Sequence, residues 1–211
     1  MNCPEIAVGY AEYSPLKDST LSYAFQDAAV NSSAWRHVTV KGEQTFWGTE
    51  AGNYRIQSST REVIDESDIK KARSLLTMVD FAGTNGCMIV LAADTNCNIP
   101  ALYKEKVNLL LLNSPQWTEE VPKSAGFLYA IGLAPQYYYQ SSSWKEAEWM
   151  ARRNLARSLQ SEIQGVQKSS REGQSIEQLS SDVVLRNVEV VERWLDIHQQ
   201  IFYVLIRAKV H

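Results

Sequence analysis

The sequence predicts an α+β protein of two related modules in tandem, each a long helix packed on a mainly antiparallel sheet. Three observations carry this. The phrase "EIAVGYAEY" (residues 5–13) returns 123 residues later within "FLYAIGLAPQ" (residues 127–136). Each phrase is followed by a stretch with small residues at helical spacing. Each half then closes on runs rich in β-branched and apolar residues.

The repeat stands up to counting. Over residues 6–42, eight of 37 positions are identical at a spacing of 123, among them Ala7/Ala130, Gly9/Gly132, Ala24/Ala147, Ala28/Ala151 and Asn31/Asn154. Ordinary composition gives about two. Thr20/Ser143 adds a conservative pair. A later block aligns at a spacing of 116, pairing Asp80 with Asp196, Val90 with Ile206 and Ala92 with Ala208. The change of spacing places an insertion of seven residues in the first copy, assigned to the glycine-containing stretch 46–54. The modules are therefore read as 5–94 and 125–210. The connector 95–124 contains Pro100, Pro115 and Pro122, which exclude one continuous helix.

The second copy is the more legible. Residues 127–134 read as a strand with Gly132 inside it, where a missing side chain lets another element come close. A helix follows, ending near Ser161 or Glu162, with Ser143 and Glu146 spaced as a capping box. Ala147 and Ala151 give it a thin face for the sheet. Lys145, Glu148, Arg152 and Arg153 are assigned to its solvated side. Residues 163–168 read as a strand, 169–175 as a loop and 176–187 as a short helix. Residues 188–195 and 201–210 read as paired strands joined by a turn at 196–200. In the first copy 75–80 and 87–92 form the matching pair, with Asn85-Gly86 as the turn.

Bulk properties exclude some functions. The chain has 211 residues and a net charge of −3, so no basic surface argues for nucleic acid. No window approaches the ~18 apolar residues of a membrane-spanning helix. No basic start or apolar core precedes Cys3, so no secretory signal or lipobox is read at the chain start. The three cysteines, Cys3, Cys87 and Cys97, form no metal-binding pattern, and a Cys87–Cys97 loop stays open as a possibility. His37, His198 and His211 stand apart from one another, and no nucleophile elbow, phosphate loop or zinc motif occurs. No catalytic residue, metal or cofactor is assigned.

One segment carries a family likeness. "SPQWTEEVPKSAGFLYAIGLA" precedes "WKEAEWMARRNLARSLQSEIQGVQKSS". Pro115 with Trp117, the strand around Gly132, and Ala147-x-x-x-Ala151-Arg152 resemble the Lpp-20-like family of twenty-kilodalton bacterial membrane-associated lipoproteins, over about 114–210. The design is also similar to the N-terminal domain of the flagellar assembly protein T. The resemblance implies a cell-envelope location, periplasm or outer membrane, through a lipid anchor, and no catalysis. The expected function is then a non-enzymatic protein-binding or assembly factor with an envelope protein as partner. The alternative is a small-molecule or glycan-binding module that uses the cleft between the copies. The candidate binding residues are Tyr137, Tyr138, Tyr139 and Trp144, because adjacent aromatic rings cannot all turn inward.

Overall fold

A computed structural model describes residues 6–14, 16–49, 52–84, 86–97, 114–165 and 176–210. In chain order its elements are β1 (Ile6–Glu12), α1 (Lys17–Arg36), β2 (His37–Thr49), β3 (Gly52–Val63), α2 (Glu66–Leu75), β4 (Leu76–Thr84) and β5 (Cys87–Asp94). A 3-10 turn (Gln116–Thr118) follows. Then come β6 (Phe127–Pro135), α3 (Gln140–Gly165), β7 (Ile176–Arg186), β8 (Glu189–Asp196) and β9 (Ile201–Lys209). The strands make antiparallel sheets in the orders β1-β5-β4, β6-β9-β8 and β3-β2-β7. The architecture is α+β, as the sequence predicts.

Each helix lies against its opening strand because that strand has a glycine under it. A Cβ on Gly9 would sit 2.0 Å from the Ala24 carbonyl oxygen and 2.3 Å from the Ala28 nitrogen. On Gly132 it would sit 1.9 Å from the Ala147 oxygen and 2.3 Å from the Ala151 nitrogen. The missing side chains, with alanines facing them, let helix backbone rest on strand backbone. Both strands are also sheet edges, whose outer peptide groups need partners. Asn31 Nδ2 donates to the Val8 carbonyl (2.9 Å) and Asn154 Nδ2 to that of Ile131 (2.8 Å). Each helix thus covers the edge of its own sheet.

Matching contacts recur at the strand-to-helix turns. Ser14 N–H donates to Thr20 Oγ1 (3.2 Å), as Tyr137 N–H does to Ser143 Oγ (2.8 Å). Tyr13 N–H donates to the Gly86 carbonyl (2.9 Å), as Gln136 N–H does to that of Gln200 (2.8 Å). Both acceptors have left-handed backbone, φ 79° at Gly86 and 56° at Gln200. The expected capping box is not formed. Ser143 lies inside α3, and its hydroxyl ties down the preceding turn instead.

The closing strands correct the second alignment. Gly9 opposes Val90 and Gly132 opposes Val204, so Val90 corresponds to Val204 and not to Ile206. A bulge interrupts β4 between Met78 and Asp80, and β8 between Val190 and Glu192. Asp80 opposes Leu91 and Glu192 opposes Leu205, so Asp80 corresponds to Glu192 and not to Asp196. A slip by an even number of residues keeps every side chain on its own face. Apolar alternation therefore cannot reveal it.

The third sheet corrects two further expectations. Residues 176–187 were assigned a short helix, but 176–186 form β7, paired with β2 from His37↔Arg186 to Trp47↔Ile176. Val183, Val184 and Leu185 there run half-buried, exposed, buried, the alternation of a strand. Residues 163–165, expected to open a strand, continue α3, while 166–175 lie outside the described residues. The extra chain of the first half includes α2, whose Asp65 cap accepts the Ser67 N–H at 2.7 Å. Because β7 pairs with β2, one core cluster draws on both halves: Trp35, Val38 and Val40 pack with Ala147, Leu155 and Phe202. A second gathers Ala24, Ala28, Met88 and Val90 around Ala72 of α2. Cys87 keeps a buried thiol and Cys97 is disulfide-bonded, so no Cys87–Cys97 loop exists.

Gly9→Ala and Gly132→Ala each destabilise the protein by about 3 kcal/mol or more, because backbone and not a flexible side chain must move. Gly86→Ala, with open space around it, costs about 1 kcal/mol from left-handed strain alone. Urea unfolding of the three variants checks the order.

Candidate functional site

The first candidate is an exposed aromatic end. β6 finishes at Pro135, and the turn to α3 presents Tyr137, Tyr138 and Tyr139, which are 42%, 93% and 42% exposed. The Tyr138 and Tyr139 rings meet edge to face at 4.8 Å. The Gln136–Gln200 hydrogen bond brings the β8–β9 turn alongside, with Ile197 at 60% exposure. Leu133, on the outer face of the same strand end, is 51% exposed. Leu133 and Ile197 were not singled out from the sequence. Alternation along β6 was the available signal, since an inward Gly132 turns Leu133 outward.

Trp144 does not join that end. It stacks on Tyr10 (centroids 5.8 Å apart, planes at 9°) and meets Phe202 edge-on at 4.8 Å. It therefore lies between the two halves, next to a second candidate, a seam of buried charge.

Glu148 is the centre of the seam and is fully buried. Its Oε1 accepts from the Tyr10 hydroxyl (3.1 Å), Arg193 Nε (3.0 Å) and Arg193 Nη2 (2.8 Å). Its Oε2 lies 3.9 Å from Arg152 Nη1. Arg152 forms a two-pronged pair with Glu62 at 2.6 and 2.9 Å, and its guanidinium lies 4.4 Å over the Trp35 ring. Asp27 accepts the Tyr10 N–H at 2.9 Å and pairs with Lys145 at 2.9 Å. Four of these links join the first half to the second: Tyr10 to Glu148, Glu62 and Trp35 to Arg152, and Asp27 to Lys145. The sequence reading placed Lys145, Glu148 and Arg152 on a solvated face. It failed for Glu148 and Arg152 because their partners come from β1, β3 and β8, far along the chain.

The electrostatics describe a lock. Burial raises the Tyr10 phenol well above its ordinary 10.0; the Arg193 charge opposes this, and Glu148 adds to it. Burial alone would lower Arg193, but the facing Tyr10 and Glu148 outweigh it and hold its pKa above the ordinary value. Burial likewise raises Asp27 above 3.8, against the opposing pull of Lys145. Tyr10, Glu148 and Arg152 are enclosed; Tyr10 is hydrogen-bonded to Glu148, while Glu148 Oε2 and Arg152 Nη1 face each other at 3.9 Å with no hydrogen bond between them. The arrangement links the first half to the second through Tyr10–Glu148, Glu62–Arg152 and Asp27–Lys145.

Glu148→Ala strands Arg193 and costs about 3–5 kcal/mol. Glu189→Ala, which breaks the exposed pair with Arg207, costs under about 1 kcal/mol. Denaturant titration separates the two. Asp27 gives a pH test. Its folded pKa exceeds the unfolded value, so the native state takes up the proton first as pH falls. Its contribution to stability therefore rises between the raised folded value and 3.8, and is flat outside that window. The stability difference between the wild type and Asp27→Asn shifts in favour of the wild type from pH 7 to pH 4. A constant difference would contradict the assignment.

Residues 115–209 match the family described as LPP20 lipoprotein. The match begins at Pro115 and so includes the Pro-x-Trp element. Trp117 is buried there against Tyr203 (6.3 Å, edge-on) and donates from Nε1 to Glu192 at 2.7 Å. The likeness to the flagellar assembly protein is not part of this match. Neither a curated protein nor a solved structure matches the chain. Among the described residues, no helix is long and apolar enough to cross a membrane. Over residues 115–209, which hold α3, its sheet and the exposed tyrosines, the chain is similar to the LPP20 lipoprotein family.

Proposed function

We propose that this protein is a non-enzymatic assembly or scaffolding factor of the bacterial envelope that binds another envelope protein through its aromatic end. The observation that carries this reading is the exposure of Tyr137, Tyr138 and Tyr139 on the β6–α3 turn, with Leu133 and Ile197 also exposed on that strand end and on the β8–β9 turn bonded to it. Tyrosine offers large, rigid contact area with a polar tip at low entropic cost. Clustered exposed apolar groups mark interaction sites more than scattered ones do.

The seam bears on the ligand reading. Tyr10, Trp144, Glu148, Arg152 and Glu62 fill it with mutual contacts, so the space between the halves is occupied by the chain itself. The disulfide at Cys97 suits the oxidising compartment that an envelope protein occupies.

A photoreactive residue at position 138, in cells carrying the native envelope, forms a discrete crosslinked species. Replacing Tyr137 and Tyr139 by Ser removes that species while the melting temperature stays within about 2 °C, as expected for exposed positions. Absence of any species from position 138, with one from the distant Val184 on β7, would relocate the interface.

A further inference from the structure

The chain shows on itself how a helix docks beside one of its edge strands. At the edge of the first sheet, Tyr10 projects from the face opposite α1, and α3 covers it: Trp144 stacks on Tyr10, Glu148 accepts its hydroxyl hydrogen, and Lys145 meets Asp27. Tyr10 is 1% exposed as a result. The matching edge of the second sheet has Leu133 where the first has Tyr10, since both follow the glycine that seats the helix. It has Met150 where the first has Asp27, one turn before the asparagine that caps the edge strand. Leu133 is half exposed. Trp117 covers the neighbouring face at Tyr203, and the cover stops short of Leu133.

We infer that the Leu133–Met150 edge is a docking position for one amphipathic helix of the partner protein, seated as α3 is seated on Tyr10. This rests on the protein-binding reading and specifies the partner's chemistry. Asp27 calls for a cation such as Lys145, and the Tyr10 hydroxyl calls for an acceptor such as Glu148. Leu133 and Met150 themselves offer neither charge nor hydroxyl, and the Arg153 guanidinium beside them is turned onto the Met150 sulfur (3.9 Å) and the Trp149 ring (5.3 Å). The incoming helix therefore carries apolar residues three and four apart where α3 carries Lys145 and Glu148. Methionine adapts to such a surface, and leucine anchors it.

The test uses the full-length protein in native envelopes, with a photoreactive residue at position 133 or 150 and sequencing of the crosslinked peptides. The expected product joins both positions to a single partner segment with apolar residues at i, i+3 and i+4. With the photoreactive residue at 150, Leu133→Asp lowers the yield about tenfold, and Leu133→Tyr retains it. The melting temperature of each variant is checked against the wild type. Crosslinks to lipid, to an extended segment or to a second copy of this chain overturn the inference, as does silence at 133 and 150. If position 138 still crosslinks a protein in that case, the docking helix is wrong and the protein-binding reading survives. Silence at 133, 138 and 150 removes both.

Discussion

The fold depends on backbone-to-backbone contact between each long helix and an edge strand. Only glycine permits it, because a Cβ at either position would fall about 2 Å from helix backbone atoms. Close seating then does a second job. It brings Asn31 and Asn154 within reach of strand carbonyls that would otherwise face outward without a partner. Helix packing and edge protection are therefore one device, used in both halves. The bulges in β4 and β8 guard the opposite edges by disturbing a ladder that another chain could extend.

What joins the halves is different in kind. β2 and β7 form a continuous ladder, and beside it lies the charged seam around Glu148. Buried ion pairs contribute little net stability, because desolvation offsets their attraction. They are costly to mispair, however. A seam with Glu148 held by Tyr10 and Arg193, and Arg152 by Glu62, accepts one mutual placement of the halves and penalises others. That rigidity matters if the exposed tyrosines present a fixed surface to a partner.

Much of this was legible in the sequence and some was not. The glycine-alanine contacts were legible because small residues at fixed spacing have few other uses. The closing strand pairs were legible from β-branched runs. β7 was not, since residues 176–187 carry Ile176, Leu179 and Val183 at a spacing that suits a helix. Their strand state comes from β2, which supplies a ladder partner from far along the chain. The true correspondence of the closing strands was hidden for a related reason, because an even slip preserves the apolar pattern. At the exposed end, three adjacent tyrosines announced themselves, while Trp144 was turned inward by Tyr10, a residue 134 positions earlier.

The sequence by itself determined that each long helix rests its small alanines on the glycine of its opening strand. These contacts lie within about two dozen positions along the chain, so residue type and spacing specify them. Only the tertiary structure decided which helix face is buried a second time, against the other half. Lys145, Glu148 and Arg152 look like solvated charge in one dimension. In the folded chain Glu148 and Arg152 are enclosed and Lys145 is paired with Asp27, because β1 and β3 bring Tyr10 and Glu62 to them. A charge is read as exposed until its partner is known, and here the partners lie from 45 (Arg193) to 138 (Tyr10) residues away.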